Sequence, residues 1–136
     1  MSEIKVDTLT GKTTANDITV TAGATATMSL EQGLSKCWVN FDGTVDSDPA
    51  TLAGVAESLN VSSLFDVDVG RYYANLVNNF TNADFVRTVS SQAKTYNTSL
   101  DSSYVGSDKV SLAVRQDAGA FVDVAINCII CQGDLA

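Results

Sequence analysis

Lys109-Val110-Ser111-Leu112-Ala113-Val114-Arg115 is the stretch from which the fold is read. Its bulky aliphatics, Val110, Leu112 and Val114, take every second position, and Lys109, Ser111, Ala113 and Arg115 fill the others. A pleated strand points successive side chains to opposite faces, so the pattern describes a strand with one face in a core and one toward water. Asp117-Ala118-Gly119 then turns the chain into a second extended run, Ala120 to Ile130, in which Val122, Val124, Ile126, Cys128 and Ile130 share a face.

Upstream, the same period recurs. Cys37, Val39 and Phe41 oppose Trp38 and Asn40, and Asp42-Gly43 closes that run. Leu59 to Asp66 and Arg71 to Val77 read as two strands joined across Val67-Asp68-Val69-Gly70, a hairpin-sized gap. Phe85 to Ser91 supplies another. The connection from Thr44 to Glu57 is longer, carries Asp46, Asp48 and Pro49, and is expected to hold a helical turn from Ala50 to Ala56. Short strands at this spacing predict a mainly β fold, with a β-sandwich or jelly-roll-like knob over residues 37–136.

The N-terminal part reads differently. Ser2 to Leu9 alternates, with Ile4 and Val6 on one side and Glu3, Lys5 and Asp7 on the other. From Thr10 to Thr27 the only bulky aliphatics are Ile18 and Val20. So little apolar surface does not offset an ordering cost of about 1–2 kcal/mol per residue. Identical copies wrapped around a shared axis would order such a segment; a loose tail is the alternative. Ser29 and Gln32 fit the N-cap and reciprocal positions of a capping box, and Leu30, Leu34 and Cys37 follow at i, i+4 and i+7. Two turns weakened by Gly33 are too short to stand alone, so a helical neck over 29–36 needs partners.

Composition narrows the chemistry. The 136 residues hold 45% hydrophobic and 18% charged side chains, a balance that folds rather than stays disordered. Eight Lys+Arg against sixteen Asp+Glu leave a formal charge of −8, without the cation clusters that phosphate backbones require; no nucleic-acid partner is expected. Apolar runs are far shorter than the roughly 20 residues that span a bilayer, and Met1 to Lys5 shows no apolar h-region, so neither membrane insertion nor a signal peptide is expected. Ser and Thr make roughly a fifth of the chain, as suits half-buried strands.

Histidine is absent, which removes Ser-His-Asp and Cys-His catalysis. Gly11-Lys12-Thr13 resembles the end of a phosphate-binding loop, but Val6 stands where that loop requires glycine. Asp66-x-Asp68-x-Gly70 and Asp46-x-Asp48 lack the remainder of a calcium loop and read as solvated turn carboxylates; bound divalent cations are the other use of such loops. Cys128-x-x-Cys131 falls on a strand, where three residues of rise place the two thiols on opposite faces about 10 Å apart, beyond disulfide reach. Three cysteines leave one or more unpaired, as in a protein assembled in a reducing compartment. No catalytic residue, metal ligand or cofactor is assigned. Tyr72 and Tyr73 are adjacent, so one faces inward and the other outward, where it serves strand packing or a ligand.

Several stretches together resemble a known group. Ser2-Glu-Ile-Lys-Val-Asp-Thr-Leu-Thr-Gly-Lys-Thr-Thr-Ala-Asn-Asp-Ile-Thr-Val-Thr21 is similar to the N-termini of tail-fibre-like virion proteins of marine bacteriophages, cyanophages especially. Ser29-Leu-Glu-Gln-Gly-Leu-Ser-Lys-Cys-Trp-Val-Asn-Phe-Asp-Gly-Thr44 resembles the entry to their C-terminal knob. Glu57 to Leu64, Asn82-Ala83-Asp84-Phe85 and Val122 to Asp134 resemble later strands in the expected order. The chain departs from that pattern in its longer Thr44–Glu57 connection and in Cys37, where Ala is usual.

The resemblance implies a homotrimeric virion appendage assembled in the host cytoplasm. Residues 1–28 would form a stem that docks on another virion structural protein, 29–36 a helical neck, and 37–136 an outward knob that contributes to host attachment through a surface glycan or protein. In a parallel trimer, Ile4, Val6, Leu9, Ile18, Val20, Leu30 and Leu34 would each meet two copies of themselves. Recognition residues favour exposed loops, which makes Asp46, Asp48, Tyr96 and Tyr104 the candidate receptor contacts. A capsid-attached decoration fibre and a glycan depolymerase are the alternative functions.

Overall fold

The computed structural model describes residues 5–11, 18–22, 25–46, 52–92, 96–99, 101–104, 106–116 and 119–136. The chain divides into two compact units, Met1–Leu34 and Ser35–Ala136. Both are built from antiparallel strands.

In the first unit, β1 (Thr19–Ala22) pairs with β2 (Ala26–Ser29), a hairpin that the small polar composition of this segment does not announce. The ladder satisfies backbone groups without burying much, since Thr19, Thr21, Thr27 and Met28 stay exposed. The helical neck expected over 29–36 is corrected to one turn, α1 (Leu30–Gly33). Ser29 ends β2 instead of capping a helix, and the Leu30 N–H is taken by the Ile18 carbonyl at 2.7 Å, which ties the turn to the hairpin.

In the second unit, β3 (Cys37–Phe41), β4 (Val55–Leu59), β7 (Val86–Ser91) and β10 (Asn127–Gln132) form a sheet in the order β4-β3-β10-β7. The other sheet runs β5-β6-β9-β8, from β5 (Val61–Asp68), β6 (Arg71–Leu76), β8 (Tyr96–Ser99) and β9 (Lys109–Gln116). Inward residues of both sheets, among them Val39, Phe41, Ile129, Tyr72, Leu112 and Val114, close one core. Phe41 meets the Tyr72 ring edge-on across it, centroids 5.1 Å apart.

Three further expectations, about where elements begin and end, need correction. The run Leu59 to Asp66 is not one strand: it breaks at Asn60, whose φ of 60° lets the chain leave the first sheet and enter the second. Asn tolerates this left-handed conformation, and its side-chain oxygen accepts from the Asn78 N–H at 2.7 Å while its amide donates to the Asn78 carbonyl at 2.9 Å. The helical turn expected up to Ala56 is replaced, over the described residues 52–56, by a turn at Ala53-Gly54 and the start of β4. Gly54 has φ 76°, and its carbonyl accepts from the Asp42 N–H at 2.8 Å.

The third correction concerns the run Ala120 to Ile130. Gly43 N–H and the Asn127 side-chain amide both donate to the Val124 carbonyl, at 2.9 Å each, and this local knot interrupts the extended chain. The alternation slips phase there. In β10 the buried positions are Asn127, Ile129 and Cys131, while Cys128 and Ile130 face outward. Cys128 and Cys131 therefore lie on opposite faces, as their spacing requires.

Candidate functional site

The outer face of the sheet β5-β6-β9-β8 carries the most organised group of polar and aromatic side chains. Period two along β6 buries Tyr72, Ala74 and Leu76 and turns Arg71, Tyr73 and Asn75 outward. Register then decides the neighbours: Tyr73 lies opposite Phe65 on one side and Ser111 on the other. Phe65 and Tyr73 stack at 4.8 Å with planes 10° apart.

Ser111 is small, and the chain uses the space above it. Its hydroxyl donates to the Asp101 carbonyl at 2.7 Å, which seats the 3-10 turn Ser102–Tyr104 on the sheet. Ser111 and Ala113, expected to face water, are buried for this reason, at 0% and 3% exposure. The turn delivers Tyr104 to Tyr73, centroids 5.3 Å apart and planes 22° apart, so Phe65, Tyr73 and Tyr104 form a continuous aromatic row.

Asp101 organises one end of that row. Its carboxylate accepts from Arg71 Nε at 2.7 Å and from the Ser103 N–H at 3.0 Å. The Arg71 hydrogen bond holds its carboxyl below the usual carboxylate range against the opposing effect of burial. The Arg71 guanidinium also lies 5.5 Å from the centroids of both Tyr104 and Phe121, Arg115 lies 4.3 Å from that of Phe121, and Lys109 Nζ lies 5.6 Å from that of Tyr73. An acidic chain thus gathers cations around half-buried rings on one face. A half-buried aromatic row with an adjacent charged donor suits ligands with both C–H and O–H surfaces.

A second feature sits at the β5–β6 turn. Asp46, Asp66, Val67, Asp68, Val69 and Asp123 line an open groove of about 310 Å³. The Gly70 N–H and the Tyr72 hydroxyl each donate to Asp123 Oδ1 at 2.6 Å, and the Tyr72 hydroxyl also lies 2.9 Å from the Gly43 carbonyl. Burial first, then this carboxylate, pushes the Tyr72 phenol well above its usual range. Asp66 is pushed up to about 6, by burial first and then by Asp123, Asp46 and Asp68. Among the described residues, no three His, Cys, Asp or Glu side chains are arranged to hold a metal ion.

The four residues chosen from sequence as receptor contacts do not form one site. Tyr104 joins the aromatic row and Asp46 lines the acidic groove. Tyr96 begins the edge strand β8 opposite Gln116, and Asp48 lies outside the described residues. Of the stem set, Ile4 lies outside the described residues; Val6 and Leu9 are each 59% exposed and Leu34 is 52% exposed, while Ile18, Val20 and Leu30 are half-buried. Sequence alternation did single out Tyr73 or its neighbour. Phe65, Arg71, Lys109 and Asp101 were missed, because only register and the seat above Ser111 bring them together. A further row crosses the outer face of the first sheet, where Leu59 lies opposite Trp38 and Trp38 opposite Ile130. Leu59 and Ile130 are each 46% exposed.

Compared with protein families, curated proteins and solved structures, the chain matches none.

Proposed function

We propose that the chain is a non-enzymatic virion structural protein, a short homotrimeric fibre whose C-terminal unit contributes to host attachment by binding a surface carbohydrate. The observation that carries this reading is the row Phe65–Tyr73–Tyr104 with the Arg71–Asp101 pair at its end. The half-buried aromatic row offers apolar surface to sugar C–H groups, and the Arg71 guanidinium, held by Asp101, presents N–H donors to hydroxyls. The exposed aliphatics Val6, Leu9 and Leu34 support self-association of the N-terminal unit, and the row Leu59–Trp38–Ile130 supports contact between copies of the second. The N-terminal unit seats the fibre on another particle protein, on the tail in this reading and on the capsid in the decoration-fibre variant.

The test is retention of purified protein on host-cell polysaccharide. The unaltered chain is retained, Tyr73→Ala and Tyr104→Ala lose most retention, and Asp134→Asn, at an exposed carboxylate outside the row and the groove, keeps it. Equal retention of all four, or of none, removes the carbohydrate reading. Sedimentation of a compact monomer removes the fibre.

A second reading, glycan depolymerase, draws on the acidic groove, where Asp66 retains its proton up to about pH 6 beside Asp123. Glycoside hydrolysis requires such a proton donor near a second carboxylate. Clearing of polysaccharide that Asp66→Asn abolishes would favour it over simple binding.

A further inference from the structure

The three thiols of this chain differ in what they face. Cys128 lies on the outer face of the first sheet, half-buried, with its sulfur 3.7 Å from Asn40 Oδ1. Cys37 and Cys131 both point inward, both are 0% exposed, and the β3–β10 register places them directly opposite each other. Cα atoms of opposed residues in an antiparallel pair lie about 4.5–5.5 Å apart. That separation falls within the roughly 4.4–6.8 Å that a disulfide spans. Each thiol is the largest influence on the other's acidity, as for groups in direct contact.

We propose that Cys37 and Cys131 are a disulfide site, held as thiols during folding and joined by a peroxide-class oxidant into a staple between the first and last strands of the Ser35–Ala136 unit. The inference stands independently of the proposed function. Strand ends open at a lower cost than the whole fold, and Cys37 is the first residue of β3 while Cys131 is the penultimate residue of β10. A small oxidant therefore reaches the pair without global unfolding. The influence of Cys131 holds Cys37 below the usual thiol range against the effect of burial, whereas that of Cys37 and burial keep Cys131 protonated. Cys37, the first residue of its strand and so the one freed when the strand end opens, is taken as the attacking sulfur.

The chemistry closes in two steps. The Cys37 thiolate attacks one oxygen of hydrogen peroxide, the O–O bond breaks, and the departing hydroxide takes a proton to leave as water. Cys37 becomes a sulfenic acid. The Cys131 sulfur then forms the S–S bond, loses its proton, and displaces the sulfenic hydroxyl as a second water. Two thiols are oxidised by two electrons and one peroxide is reduced to two waters.

The full chain and its Cys128→Ser variant are treated with hydrogen peroxide, quenched, denatured and alkylated, then weighed and peptide-mapped. Substitution at Cys128 leaves the core untouched, because that side chain faces outward. The expected result is one alkylated cysteine in the unaltered chain where the untreated protein has three. The variant is expected to show none after oxidation, with the peptide holding Cys37 linked to that holding Cys131. The loop closed is nearly the whole unit, so the oxidised variant should melt about 10 °C or more above its dithiothreitol-treated form. Full alkylation of Cys37 and Cys131 after oxidation, conversion to sulfinic acids without pairing, pairing through Cys128, or a bond that leaves the melting point unmoved would each overturn the proposal.

Discussion

Arg71 Nε and Asp101 Oδ2 meet at 2.7 Å although thirty residues separate them, and Asp101 is only 8% exposed. The contact joins the outward face of β6 to the turn that carries Tyr104, so one ion pair fixes where the third ring of the aromatic row lies.

Asp101→Asn keeps the shape and loses the charge, and is expected to lower the thermal midpoint by a few degrees at pH 7. Because Arg71 depresses the Asp101 carboxyl, its stabilisation is full above the unfolded value, about 3.9, and fades as pH falls through the lower folded value. The gap between variant and parent should therefore persist at pH 5 and shrink as the pH falls below the unfolded value. Thermal melts across that range check it; a gap independent of pH contradicts it.

Asp66 behaves with the opposite sign. Its folded carboxyl is raised to about 6, so ionising it costs stability, a cost that is absent below the unfolded value, about 3.9, and complete above the raised one. Asp66→Asn is expected to stabilise the protein by about 1 kcal/mol at pH 8 after allowance for solvent screening, with the gain vanishing near pH 4. Denaturant midpoints at the two pH values measure it.

Gly70 and Gly119 both have positive φ, 64° and 87°, but differ in space. A Cβ on Gly70 would sit 2.6 Å from both the Val114 carbonyl oxygen and the Val122 nitrogen, whereas one on Gly119 meets nothing within 4 Å. Gly119→Ala should cost about 1 kcal/mol through conformation alone, and Gly70→Ala at least about 2–3 kcal/mol, because the β5–β6 turn must also move away from β9. Chemical denaturation of the pair separates the two contributions.

The proposed trimer brings together three copies that each carry a formal −8. Repulsion between them is screened within about 8 Å at physiological ionic strength and over longer distances in dilute buffer. Sedimentation is expected to show a larger trimer fraction at 0.3 M than at 0.01 M sodium chloride. Dissociation on adding moderate salt would contradict self-association through apolar contacts.

Much of the two-sheet β core is legible in residue order alone. Cys37, Val39 and Phe41 are buried, Val110, Leu112 and Val114 are buried, and Tyr72 faces in while Tyr73 faces out. Each follows from pleating, a property of neighbouring peptides that needs no knowledge of distant chain. Asp46 and Tyr104 were also reached as exposed-loop candidates, but as members of one set rather than of two separate features.

What the order of residues could not decide was anything resting on which strand lies beside which. The break at Asn60 and the slip of phase before Asn127 arise from hydrogen bonds to Asn78 and Val124, contacts that alternation does not encode. The aromatic row exists because register sets Phe65 beside Tyr73 and because a small Ser111 leaves room for the turn bearing Tyr104. The cysteines make the point most directly. Residue spacing excluded the near pair, Cys128 and Cys131, since strand geometry is local; only the folded sheet set Cys37 opposite Cys131, since pairing between the ends of a chain is settled by how the whole core closes.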